Sequence, residues 1–133
     1  MPSRVAEPSN PKTAEREEYR PPFGAPYVWI LAVIDGPQPN AMHRIVQYET
    51  VIGRGEGVQI DLDDEQVSKR HCQIRVEGPV CTIQELGSLN GTFVNGRKMR
   101  DDTALRLRYL DEIQIGSTRL FLLHGAYKRI TTQ

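Results

Sequence analysis

Between residues 53 and 96 the chain gathers glycine, hydroxyl, cationic and imidazole side chains: Gly53-Arg54, Ser68-Lys69-Arg70-His71, Ser88-Leu89-Asn90-Gly91-Thr92 and Asn95-Gly96. Gly53-Arg54-Gly55-Glu56-Gly57 has the glycines of a nucleotide phosphate loop. Such a loop must open a helix whose N-terminal amides meet the phosphates, and a triphosphate loop must also end in Lys-Ser or Lys-Thr. Val58-Gln59-Ile60-Asp61-Leu62 follows instead, a strand alternation that argues against nucleotide binding. A plain glycine turn accounts for the glycines but not for an arginine fixed among them. Ser68 beside His71 suggests a hydrolytic pair, yet a serine nucleophile needs an oriented base and an oxyanion site, commonly at a strand-to-helix elbow. No helical pattern follows, so His71 is expected on the non-core face of its strand, bracing the loop, and no catalytic residue is assigned. Asn90-Gly91 and Asn95-Gly96 bracket Thr92-Phe93-Val94, and Asn-Gly favours turns that need positive φ.

The elements that must position these residues are strands. From Tyr27 onward, short runs of Val, Ile, Leu and Tyr recur every 8 to 12 residues between Gly, Asn, Asp or Pro, the pattern of an all-β sandwich or barrel. Strands are expected near 28–34, 43–48, 50–53, 58–61, 71–76, 80–85, 92–94, 97–99, 105–108, 112–115 and 118–124. Each motif falls where a strand turns, so all four are expected at one end of the sandwich, on loops of the kind that carry binding function. A turn at Glu77-Gly78 would set Val76 against Pro79, Ile74 against Cys81 and Cys72 against Ile83. All the apolar members then share one face, with His71, Gln73, Arg75, Thr82 and Gln84 on the other. Cys72 and Cys81 become diagonal core neighbours, free thiols without the electropositive, exposed setting of a reactive thiolate.

The sequence has 133 residues, with 17 Lys+Arg and 17 Asp+Glu. That length suits one domain. Neutrality argues against a nucleic-acid or anionic-membrane binder, which needs an excess of basic residues. Any anion must be held locally. The longest apolar run, 27–34, is far short of the ~20 residues that span a bilayer, and the first residues lack a secretory apolar stretch. A cytosolic or nuclear compartment is expected, with reduced thiols. Residues 1–26 hold six of the nine prolines and few large apolar groups, which is expected of a flexible tail. The folded part is expected over 27–124, and 125–133 as a short polar tail.

The order and spacing of GR (53–54), SKRH (68–71), SLNGT (88–92) and NG (95–96) resemble the forkhead-associated (FHA) domain, over about residues 27–124. The resemblance implies a β-sandwich of about eleven strands whose loops at one end recognise phosphothreonine peptides. It also implies that Arg54 and Lys69 hold phosphate oxygens, with Arg70 adding to them, and that Ser68 donates its hydroxyl. Asn90 would hydrogen-bond the peptide backbone, and Gly53, His71, Gly91, Thr92, Asn95 and Gly96 would shape the loops. A phosphothreonine carries about −1.5 to −2 charges and three acceptor oxygens, so a fork donor, a second cation and a hydroxyl make a fitting receptor. Three charged hydrogen bonds at about 1.5–3 kcal/mol each suit micromolar recognition, which needs about −8 kcal/mol. The implied role is an adaptor downstream of a Ser/Thr kinase. The alternative is an FHA-like scaffold that binds partners through its sandwich face without phosphate.

Neither cofactor nor metal is implied. The acidic run Asp61, Asp63, Asp64, Glu65 lacks the spacing and glycine of a calcium loop and is expected to be solvated. The loop around Asp64, Glu65 and Gln66 is a candidate for reading the third residue past the phosphothreonine. Arg97, Lys98 and Arg100 lack interleaved aromatics and precede Asp101 and Asp102, so they fit a solvated loop or a rim that steers acidic peptides better than a nucleic-acid surface. Where the family has Gly-Asp before its penultimate strand, this chain has Leu110-Asp111, a structural variation of that turn. Thr13 lies 14 residues before Tyr27, and a flexible segment of that length spans about 20 Å by the ~5–6 Å × √n rule. Phosphorylated Thr13 is therefore within reach of the loops of its own or a neighbouring copy.

Overall fold

The computed structural model describes residues 27–126; Thr13 and the tail expected at 1–26 lie outside the described residues, as does the tail expected at 125–133 apart from Gly125 and Ala126, which extend the last strand. Eleven strands form two sheets: β1 (Tyr27–Asp35), β2 (Met42–Ile45), β3 (Glu49–Gly53), β4 (Ile60–Asp61), β5 (Cys72–Glu77), β6 (Val80–Glu85), β7 (Thr92–Val94), β8 (Arg97–Lys98), β9 (Ala104–Leu107), β10 (Glu112–Ile115) and β11 (Thr118–Ala126). The six-stranded sheet runs β2-β1-β11-β10-β7-β8 and the five-stranded sheet β4-β3-β5-β6-β9. Among the described residues there is no helix.

Period-two alternation builds the core, because successive side chains on a strand point to opposite faces. Trp29, Leu31 and Val33 of β1, Ile74 and Val76 of β5, Ile113 and Ile115 of β10, and Leu120 and Leu122 of β11 all point into one apolar cluster between the sheets.

The β5–β6 hairpin turns at Gly78-Pro79, not at Glu77-Gly78: Glu77 faces Val80, Val76 faces Cys81, Ile74 faces Ile83 and Cys72 faces Glu85. Gly78 takes the left-handed backbone (φ 61°), and Pro79, having no N–H to give a ladder, goes into the turn. A two-residue shift preserves the faces, so Cys72, Ile74, Val76, Cys81 and Ile83 are all buried as the alternation requires. It does separate the cysteines, which are not diagonal neighbours. Burial, and then the nearby Asp111 charge, push the Cys81 thiol up to about 12. Burial and then Glu85 push the Cys72 thiol up as well, so neither forms a ready thiolate.

The family's usual glycine position has a visible consequence. Leu110 adopts φ 71° and is half exposed, in a turn where its N–H donates to the Leu122 carbonyl (2.6 Å). An L side chain in that region costs about 1–2 kcal/mol, against about 0.5–1 kcal/mol for glycine's extra chain entropy. Leu110→Gly is therefore expected to stabilise the domain by roughly 0.5 kcal/mol, a rise in Tm of about 2–4 °C. A thermal melt showing an unchanged or lower Tm would refute this.

Register fixes which loops meet. Gly53 ends β3, Cys72 opens β5, Glu85 ends β6 and Ala104 opens β9, all at one end of their sheet. Thr92 opens β7 at the same end of the other sheet, opposite Ile115.

Candidate functional site

Gly53 is required by space. A Cβ there would stand 1.9 Å from the Lys69 carbonyl oxygen, so only glycine lets the end of β3 touch the 68–70 loop. A backbone bond from Arg54 N–H to Ser68 O (3.1 Å) fastens this junction, and Leu62 N–H to Gly53 O (2.8 Å) ties the same strand end to the residue after β4. Arg54 is exposed, and its Nε donates to the Val67 carbonyl (2.9 Å). That bond anchors the exposed guanidinium through Nε and leaves its two terminal nitrogens without a partner among the described residues, a fork open to a ligand.

Ser68 Oγ accepts from the Leu89 N–H (3.0 Å), which leaves the hydroxyl hydrogen available to an incoming acceptor. Lys69 and Arg70 stand exposed on the same loop. Among the described residues no carboxylate lies within ion-pair distance of Arg54, Lys69 or Arg70. Asn90 reaches back across the cleft, its Nδ2 donating to Gln66 O (3.0 Å), with its amide oxygen still open. Leu89 beside it is 86% exposed.

Two buried groups hold these loops together. His71 is fully buried, a correction to its expected place on the non-core face, because it precedes β5 and points between the loops. Its Nδ1 accepts from the Ser68 N–H (3.0 Å), so the proton sits on Nε2 and is donated to Gly91 O (2.8 Å). The expected bracing role thus has a definite geometry: one imidazole joins the 68–70 loop to the 86–91 loop. The second group, Glu85, is absent from the sequence motifs. Its carboxylate accepts from the Ser88 N–H and from Thr92 Oγ1 (2.7 Å). Burial pushes the Glu85 carboxyl up, but the bonds from Thr92 and Ser88 together hold it below its ordinary value. The alternation of β6 was the available signal, since an acid at 85 shares the inward face of Cys81 and Ile83.

Asp64 is likewise no solvated carboxylate. It is 3% exposed and accepts from Gln66 N (3.0 Å), Ser117 N (2.9 Å), Ser117 Oγ (2.8 Å) and Thr118 Oγ1 (2.8 Å), tying the 62–71 loop to the β10–β11 turn. It therefore has no free oxygen for reading a peptide, whereas Glu65 and Gln66 are exposed. Asp61, Asp63 and Glu65 are also exposed, and no group of three His, Cys, Asp or Glu among the described residues is placed to hold a metal.

The structure brings Gly53, Arg54, Ser68, Lys69, Arg70, His71, Asn90, Gly91 and Thr92 to one end. Asn95 and Gly96 are elsewhere, because the three-residue β7 carries them to the opposite end. There they form the two-residue β7–β8 turn with φ 50° and 82°, and Asn95 bonds Asp111 Oδ1 and the Glu112 N–H (both 2.9 Å).

Comparison with known proteins places this arrangement. The family profile of the FHA domain matches residues 50–116. The chain belongs to the FHA family. FHA domains are phosphothreonine-binding modules, not enzymes. This FHA domain is 41% identical over 96 residues to a glycogen accumulation regulator, GarA, of Mycolicibacterium smegmatis, covering 72% of this chain and 59% of that one. It is 37% identical over 113 residues to an oxoglutarate dehydrogenase inhibitor of Corynebacterium diphtheriae, covering 85% of this chain and 75% of the other. The match thus spans under two thirds of the length of the GarA relative. Among solved structures, an FHA domain from a study of phosphothreonine-dependent interactions is 30% identical with a TM-score of 0.65, covering 72% of this chain and 95% of that one. The FhaA FHA domain, solved with an intracellular domain of another protein, is 31% identical with a TM-score of 0.63, covering 71% and 98%. Among the described residues no helix is long and apolar enough to cross a membrane.

Proposed function

We propose that this FHA domain is the phosphothreonine-reading part of an adaptor in Ser/Thr kinase signalling. In this reading Arg54 and Lys69 grip the phosphate with help from Arg70, Ser68 donates its hydroxyl, and Asn90 bonds the peptide backbone. The observation that carries it is the anchored Arg54 fork, held by the Val67 carbonyl beside a serine whose hydroxyl hydrogen is uncommitted. The names of the relatives, a regulator and an inhibitor, support a regulatory output.

Calorimetric titration of the full chain with an oriented phosphothreonine peptide set tests the proposal, using phosphoserine and unphosphorylated versions as controls and one phosphopeptide spanning Thr13. Micromolar binding of a phosphothreonine peptide is expected, with none for its unphosphorylated form. Binding that ignores the phosphate would instead favour a scaffold acting through the sandwich face. Thr13 is a proposed source of the phosphothreonine in cis or in trans. Absence of heat with its phosphopeptide would dismiss that source.

A further inference from the structure

A groove of about 520 Å³ lies between the edge strands β8 and β9, with Asn95 of the β7–β8 turn lining its far end. Val94, Met99 and Leu105 give it an apolar lining, and Arg97, Lys98 and Arg100 edge it. No carboxylate lines it: Asp101 and Asp102 follow Arg100 in sequence but stand outside. Among the described residues none of these three cations has an ion-pair partner, while Arg75 and Arg119 elsewhere are matched to Glu49 and to Asp35 and Glu112. In a chain with equal numbers of both charges, this rim is a local excess of positive charge.

The groove is continuous with the phosphate loops. The Lys98 side chain lies across Gly91, with its Cε only 2.6 Å from where a Cβ of residue 91 would be. Met99 N–H donates to Thr92 O (2.8 Å), so the chain entering the groove is pinned to the residue after Gly91. One end of the groove therefore begins next to Asn90.

We propose that this groove is a second contact for the phosphorylated partner, and that it takes a segment flanking the phosphothreonine that combines acidic side chains with one large apolar side chain. The inference rests on the phosphothreonine reading above. Its chemistry follows from the lining: unpaired cations attract carboxylates, and the gap floored by the buried Val94 and Met99 and the half-buried Leu105 accepts one apolar side chain. A single-stranded nucleic acid fits less well, because no aromatic ring lines the groove for bases to stack on.

The test titrates the full chain with three peptides sharing one phosphothreonine core. One has Gly/Ser flanks, one an acidic block with a leucine before the core, and one the same block after it. One acidic-flanked peptide is expected to bind about tenfold tighter than the plain core, with the gain shrinking as salt is raised. The double variant Arg97→Gln, Arg100→Gln should erase that gain and leave affinity for the plain core unchanged. Equal affinity for all three peptides, or a gain that survives the double substitution, overturns the groove assignment while the core reading stands. Failure of the plain core to bind overturns both. Binding of a single-stranded oligonucleotide that the double variant abolishes, with the flanks making no difference, overturns it in favour of a nucleic-acid surface.

Discussion

Arg54→Ala is expected to lower affinity for a phosphothreonine peptide at least 100-fold while lowering Tm by only a few degrees. The two free terminal nitrogens would make charged hydrogen bonds to phosphate, each worth about 1.5–3 kcal/mol, so losing both costs about two to four decades in Kd. Against this, the folded state loses one bond, Nε to Val67 O, from an exposed side chain. The guanidinium is exposed, so solvent holds that bond's contribution to about 0.5–1.5 kcal/mol, which bounds the effect. Arg54→Lys separates charge from geometry. Lysine keeps the cation but has no Nε to anchor on Val67 and no planar fork, so it is expected to recover only part of the lost affinity. Calorimetric titration and a thermal melt on the same three proteins read both axes. Unchanged affinity in Arg54→Ala would sink the site assignment, and a collapse of Tm in that variant would assign Arg54 to the fold.

The features legible in the sequence were those set by local rules. Strand positions followed period-two alternation, and the β7–β8 turn followed from Asn95-Gly96 because both residues must take positive φ. Even the faces of β5 and β6 survived a misplaced turn, since a shift of two residues restores the parity. What stayed hidden depended on long-range closure. Gly53 is constrained by the Lys69 carbonyl sixteen positions away, and Asp64 by Ser117 and Thr118 more than fifty positions away. No local pattern distinguishes Asp64 from the exposed Asp63 beside it. Alternation puts His71 on the solvent face only by extending β5 one residue, whereas it belongs to the loop. Motif order groups Asn95-Gly96 with the other loops because it says nothing about how far a three-residue strand travels. Glu85 was legible in principle: an acid on an inward face either disrupts the fold or has partners waiting, and here Ser88 and Thr92 are those partners.

Asp64→Ala is expected to cost about 2–4 kcal/mol of stability, because it removes charged hydrogen bonds and leaves the part-buried donors without their acceptor. Four donors converge on this carboxylate: the Gln66 and Ser117 N–H groups and the Ser117 and Thr118 hydroxyls. The hydroxyls can rotate to other acceptors, but the amides cannot. Asp64→Asn should be nearly as damaging, because an amide offers one acceptor oxygen and turns its NH₂ toward donors. The charge also predicts a pH dependence. Burial pushes the Asp64 carboxyl up, but the bonds from Gln66, Thr118 and Ser117 together hold it below its ordinary value of 3.8. The folded protein therefore binds this proton less readily than the unfolded chain. The resulting stabilisation is full above the unfolded value and disappears as pH falls through the folded one. Glu85, also held below its ordinary 4.5, adds to the same acid limb. Urea denaturation between pH 7 and pH 2.5 should show stability falling below about pH 4 in the wild type and falling less steeply in Asp64→Asn. Identical slopes would mean that Asp64 does not carry the linkage. Arg54 and Asp64 thus act on opposite sides of one loop. The 62–71 segment is pinned to the β10–β11 turn by a buried anion at Asp64 and carries exposed cations, Lys69 and Arg70, towards its other end.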